Sequence, residues 1–269
     1  MEQNPREFKG RIGVYDKNLY DKSRVKRRAG GRLMHEALKN RYVLDCTIET
    51  ISPLHIGSEK ALGFGIDNPI VKVRHNGREI PVIPGSSIKG VLRAHFYRLA
   101  KSGAFDRLGF FKVLDKDLEA FEREFSKKKE NEKLEEFRKL GTLEKLFGIS
   151  GVASPLKITD AEPLEFSIGT RTHVKIDPER DRAERGKLFT VEYVEGKFGF
   201  KIVFDELKSD YDDVNDFFKE IFYRSLKNGL EIHFGGMKSR GYGLCLIKVD
   251  KAKKYTAEGL AFGKAEEWG

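Results

Sequence analysis

Apolar and polar positions alternate over residues 42–51, YVLDCTIETI, with Leu44, Cys46 and Ile48 on one side and Asp45, Thr47 and Glu49 on the other. A period of two predicts a half-buried strand. It ends at Ser52-Pro53-Leu54-His55-Ile56-Gly57, where proline interrupts a ladder and glycine permits a turn. Residues 58–69 read as a loop closing on Asp67-Asn68-Pro69. Ile70–Arg74 and Glu79–Ile83 flank Asn76-Gly77, a strong hairpin signal. After Pro84-Gly85-Ser86-Ser87, the spacing of Ile88, Val91, Leu92, His95, Phe96 and Leu99 predicts an amphipathic helix capped by serine. Lys89 and Arg93 lie four apart on one side of it.

Residues 115–147 predict a charged helix with a thin apolar stripe of Leu118, Phe121, Phe125, Leu134, Phe137 and Leu140, packed on the surface as an insertion. A short strand is predicted within 156–168, and the polar run 170–187 predicts a projecting arm. Phe198, Phe200, Ile202 and Phe204 alternate as a buried strand face. Lys197-Phe198-Gly199-Phe200 is similar to an aromatic RNA-stacking motif, but its alternation reads as core. Val214, Phe217, Phe218, Ile221, Phe222 and Leu226 predict a second helix, stopped by Asn228-Gly229. Strands at Leu230–Phe234 and up to Val249 enclose a glycine-rich loop, and the tail from Ala252 onward reads as peripheral. Without insertions the order is strand, helix, strand, strand, helix, strand, which is an α+β, ferredoxin-like (RRM-like) βαββαβ plan. The expected organisation is a basic extension over 1–41, a core over 42–252 with a helical insertion at 104–147 and an arm at 169–190, and a tail over 253–269.

The chain has 269 residues, with 51 Lys+Arg against 42 Asp+Glu and a net charge of +9. A chain of this size buries roughly 75% of its unfolded surface, so a substantial core is expected. No apolar run approaches the ~18 residues of a membrane helix, and the first residues lack an apolar leader. Two cysteines exclude a disulfide scaffold, and the six histidines form no paired metal motif, so no zinc is expected. A cytoplasmic protein without membrane contact is the expectation. Abundant Lys and Glu with few Cys and Met fit a heat-adapted source. The positive charge is concentrated: residues 1–40 hold 11 basic against 5 acidic groups, and residues 74–107 hold 7 against 2. Such clusters fit a polyanion, whose condensed counterions are released on binding, or a solvated face.

Three segments carry candidate chemistry. The Gly85-Ser86-Ser87 helix start, with Lys89 and Arg93, either holds a phosphodiester at its positive end or is an ordinary cap. Gly235-Gly236-Met237-Lys238-Ser239-Arg240-Gly241-Tyr242-Gly243 has four glycines. It can approach a phosphate chain closely, with Lys238 and Arg240 supplying charge, or it is a long hairpin turn. It lacks the Walker pattern. Asp67 is a turn-former or a catalytic carboxylate, and His55 is a base, an RNA contact or a structural side chain.

LHIGS at 54–58, GIDNPIV at 65–71, IPGSSIKGVLR at 83–93, LFG at 146–148 and GGMKSRGYG at 235–243 together resemble the RAMP superfamily of CRISPR–Cas proteins. Within it the chain is similar to the repeated backbone subunit of type III (Csm/Cmr) effector complexes. The resemblance implies an RRM-like core with a projecting thumb hairpin, stacking of copies along a CRISPR RNA, and cleavage of complementary target RNA within a complex of Cas subunits. It places the catalytic aspartate at Asp67 and the histidine of the LHIGG motif at His55, with Ser58 replacing a common second glycine. Guide contacts fall on Ser86, Ser87, Lys89 and Arg93 and on Gly235, Gly236, Lys238 and Arg240. The thumb would be 170–187, with Arg171, Lys175 and Arg182 as backbone contacts. The implied activity is that of an endoribonuclease aided by a divalent cation, Mg2+ or Mn2+. Alternatives are a non-catalytic scaffold on the guide and a nuclease that processes CRISPR RNA.

Overall fold

The structure, a computed structural model, describes residues 37–58, 66–114, 117–177, 182–208 and 210–269. The basic segment over 1–36 lies outside the described residues. In chain order the elements begin with β1 (Leu38–Thr50), β2 (Lys72–His75), β3 (Arg78–Pro81) and α1 (Gly85–Lys101). Next come α2 (Leu118–Lys127), α3 (Glu130–Arg138), α4 (Thr142–Phe147), β4 (Leu156–Ile158), β5 (Glu162–Asp177) and β6 (Arg182–Leu207). The chain closes with α5 (Asp212–Phe217), a π-helical turn (Phe218–Phe222), α6 (Tyr223–Lys227), β7 (Leu230–His233), β8 (Leu244–Thr256), α7 (Ala257–Phe262) and β9 (Glu266–Glu267).

The main sheet runs β4-β6-β1-β8-β7 and its pairs are antiparallel. β1 and β4 flank β6, and β6 and β8 flank β1, so two split βαβ units interleave. This mixed α+β architecture is consistent with the ferredoxin-like plan. β1 begins four residues before the predicted alternation, and its buried side, Tyr42, Leu44, Cys46 and Ile48, meets Phe198, Phe200, Ile202 and Phe204 of β6 across the register. The Lys197–Phe200 segment is therefore core. Helix α1 buries Ile88, Leu92 and Phe96, the last edge-on to Phe217 of α5. Asn76 and Gly77 both take positive φ, 49° and 80°, the left-handed pair that closes the β2–β3 hairpin.

Three expectations are corrected. The charged run is three helices, and α4 is buried along its length rather than lying on the surface. Its Lys145 ammonium lies 3.3 Å from Asp213 of α5, which also accepts from the Thr142 hydroxyl at 3.1 Å. The tail is not peripheral, because β8 continues to Thr256 and β9 brings Trp268 against Tyr42 and Tyr223 at ring distances of 4.4 and 4.1 Å. The serine cap is absent. Pro84 precedes the helix without a side-chain cap, and the Gly85 N–H donates to Asp160 Oδ1 at 2.7 Å.

The arm is a two-stranded hairpin. β5 pairs with β6 from Glu162↔Gly199 to Asp177↔Arg182, whereas the partnership of β6 with β1 stops at Lys197. The hairpin therefore extends past the sheet, and its root is where the chemistry gathers.

Candidate functional site

Between Thr190 and Val194, β6 is bonded on both edges. β5 occupies one, and the segments after β1 occupy the other. The Asp67 and Asn68 N–H groups donate to the Thr190 carbonyl at 3.1 and 3.2 Å, and the Glu192 N–H donates to the Asn68 carbonyl at 3.0 Å. The Thr190 N–H in turn donates to Asp67 Oδ2 at 2.7 Å. Backbone and side chain thus fix Asp67 at the hairpin root while its carboxylate stays exposed. Among the described residues Oδ1 accepts no hydrogen bond.

His55 is part of the wall. It is 6% exposed, and its Nδ1 lies 2.8 Å from the Glu192 carbonyl. The Gly236 N–H donates to the His55 carbonyl at 3.0 Å, and the Gly243 N–H donates to that of Pro53 at 2.8 Å. The glycine loop is thereby sewn to the strand end that carries His55. Between these stitches Lys238–Arg240 form one 3-10 turn, bounded by left-handed Met237 and Gly241. Lys238 and Arg240 are exposed.

The register of the hairpin places Arg171 opposite Val191, His173 opposite Phe189, and Gly169 opposite Tyr193. Opposed residues share a face, so these side chains project together. Tyr242 of the glycine loop is buried against that face, with its hydroxyl 2.8 Å from His173 Nε2. The Arg171 guanidinium lies 5.3 and 5.8 Å from the Tyr242 and Tyr193 ring centres, and that of Arg240 lies 5.4 Å from Phe189. These are cation–π distances. Burial and the nearby charges of Arg240 and Arg171 lower the pKa of His173. Asp67 is bonded to the backbone N–H of Thr190, the residue next to Phe189, over whose ring the Arg240 guanidinium lies.

The α1 tip lies elsewhere, on β4. The Lys89 ammonium donates to the Leu156 carbonyl at 3.0 Å, and burial followed by repulsion from Arg93 lowers its pKa. Arg93 lies over the Tyr97 ring at 5.4 Å; Ser86 is exposed and Ser87 half-buried. No hydrogen bond or ion pair among the described residues joins this tip to the glycine loop. That loop meets α1 farther along, where His95 and Arg98 share a cleft of about 300 Å³ with Glu231, Ile232, His233 and Lys238. Of the expected site residues, Asp67, His55, Arg171, Gly235, Gly236, Lys238 and Arg240 gather at the hairpin root. Ser86, Ser87, Lys89 and Arg93 stay at the β4 edge. Lys175 and Arg182 sit on β5 and β6, and their side chains lie outside the described residues.

Sequence reading missed Tyr242, His173, Phe189 and Glu192 as parts of the site. Period-two counting along the arm signals the shared face of Arg171 and His173, but nothing local signals Tyr242 as their partner. Among the described residues no group of three or more His, Cys, Asp or Glu could hold a metal ion, and Asp67 offers a single free oxygen.

No curated protein matches the chain. Among solved structures, a chain of the "Type III-B Cmr-beta" complex in its apo state has TM-score 0.50 at 13% identity, covering 78% of this chain and 97% of that one. A chain from the same complex "bound to cognate target RNA" has TM-score 0.49 at 13% identity, covering 77% and 96%. The first likeness shows a common fold. The RAMP superfamily model matches residues 47–246, from the last residues of β1 into β8, and so spans every segment that builds the hairpin root. This chain belongs to the RAMP superfamily.

Proposed function

We propose that the protein is a CRISPR RNA-binding backbone subunit of a type III interference complex and that it cleaves guide-paired target RNA. One observation carries this reading: an exposed carboxylate, Asp67, is fixed at the root of a hairpin whose adjoining face carries Arg171 and Arg240. The cations and the glycine loop hold phosphates without reading bases, which suits a protein that leaves specificity to pairing. A target nucleotide displaced from its stack at the hairpin brings its 2′-hydroxyl in line with the adjacent phosphate. Asp67 Oδ1 accepts the hydroxyl proton, the 2′-oxygen attacks phosphorus, and the 5′-oxygen departs and takes a proton from water, leaving a 2′,3′-cyclic phosphate and a 5′-hydroxyl. A divalent cation, Mg2+ or Mn2+, would arrive with the RNA, whose phosphates and water would supply its remaining ligands beside Asp67. Partners are the CRISPR RNA, its complementary target, further copies of the chain and other Cas subunits.

The isolated carboxylate favours one second reading, a scaffold that coats the guide without cutting. Asp67→Ala in the assembled complex decides between them. Loss of target cutting with guide binding intact supports catalysis, and unchanged cutting removes Asp67 from the chemistry. Robust processing of precursor repeat RNA in EDTA would overturn both in favour of a processing nuclease.

A further inference from the structure

The loop that bears Asp67 is tied to the hairpin root by more than backbone pairing. Glu192 is 3% exposed, and both of its carboxylate oxygens are used. Oε2 accepts from the Ile70 N–H at 3.0 Å, and Oε1 accepts from the Lys72 ammonium at 2.5 Å. Its own N–H holds Asn68, and its carbonyl faces His55. One residue therefore touches the segment just after Asp67, the first residue of β2 and the histidine beneath the glycine loop. Glu192 is buried, and the Lys72 side chain is 24% exposed. We propose that Glu192 and Lys72 form a positioning latch that makes the Asp67 loop and the hairpin root move as one body, so that an RNA displacing the hairpin carries Asp67 with it. This inference rests on the proposed role of Asp67.

The physical basis is the cost of leaving a buried group without its partner. The Glu192 carboxylate is buried and Lys72 only partly so, and removing the ammonium leaves the buried carboxylate without its charged partner. A buried backbone N–H such as that of Ile70 requires an acceptor. Glu192→Gln keeps an acceptor for Ile70 but removes the charge facing Lys72. Lys72→Met removes that charge from the other side, and Glu192→Ala removes both bonds.

Two readouts on the full chain test the latch. Amide hydrogen exchange at Ile70 is expected to rise about tenfold in Glu192→Ala and less in Glu192→Gln, with β1 amides unchanged as a check on the fold. In the assembled complex, Glu192→Gln is expected to lower the turnover of target cleavage about tenfold, with KM and guide affinity within about twofold. Lys72→Met added to Glu192→Gln should cost little more, because the pair acts as a unit. Unchanged exchange at Ile70 in Glu192→Ala overturns the latch whatever the chemistry. Unchanged turnover in Glu192→Gln, beside loss of turnover in Asp67→Asn, overturns its positioning role and leaves the proposed function standing. If Asp67→Asn cuts normally, the proposed role of Asp67 and the positioning role both fail, and exchange still decides whether the latch exists.

Discussion

A Cβ placed on Gly235 would fall on the carbonyl oxygen of His55, so these two backbones touch only because residue 235 has no side chain. Gly235 also has φ +65°, where L-residues are strained. Gly241 shares the strain, with φ +82°, but has open space around its Cβ position. Gly241→Ala is therefore expected to cost roughly 1 kcal/mol and Gly235→Ala at least twice that. Chemical denaturation of the two variants checks the ordering.

The exposed cations of the hairpin root and glycine loop should dominate the salt dependence of RNA binding. Arg240→Ala or Lys238→Ala is expected to flatten the slope of log affinity against log salt by about 0.7 for a single strand. Lys89→Ala should change it less, because that ammonium already donates to Leu156. Titrations of the three variants against one guide strand, at several salt concentrations, measure this.

Lys145 and Asp213 are both buried, so neither tolerates loss of the other. Lys145→Met is expected to destabilise the fold by about 3 kcal/mol, and Lys145→Met with Asp213→Leu should recover much of that. Urea unfolding midpoints of wild type, single and double variants form the cycle.

Acid should act in two separate windows. Burial and the charges of Arg240 and Arg171 depress the pKa of His173 below the ordinary 6.5, so just below that pH the unfolded chain binds more protons. Stability therefore rises with pH through that window, and His173→Gln should remove this component. Burial pushes the carboxyls of Asp205 and Glu206 up, but Arg41 and Lys157 on the first, and Lys219 and Asn40 on the second, hold both below their ordinary values. Their contribution is complete above the ordinary 3.8 and 4.5 and fades as pH falls through the depressed values. Thermal melts between pH 3 and 8 separate the two.

Periodicity made β1, the β2–β3 turn, α1 and the Phe198–Phe204 face legible, because local spacing alone decides which side of an element is buried. The same counting failed where a distant residue supplies the missing group. The α1 tip takes Asp160 as its acceptor, 75 residues away in sequence. α4 carries Glu144 and Lys145 inward because Tyr97 and Asp213 await them. At the site, the motif residues Asp67 and Gly235 could be picked out in advance. Glu192 and Tyr242 could not, since what distinguishes them is contact with loops far along the chain.

Trp268 is the sole tryptophan and stacks among Tyr42, Phe218 and Tyr223. Tyr42 stands about 26 Å along β1 from Thr50, at the end of the strand remote from the glycine loop. Tryptophan fluorescence of this chain, excited where tyrosine does not absorb, is thus a built-in optical probe of one pole of the sheet. Emission should follow docking of the last residues onto that pole and stay silent when RNA occupies the other.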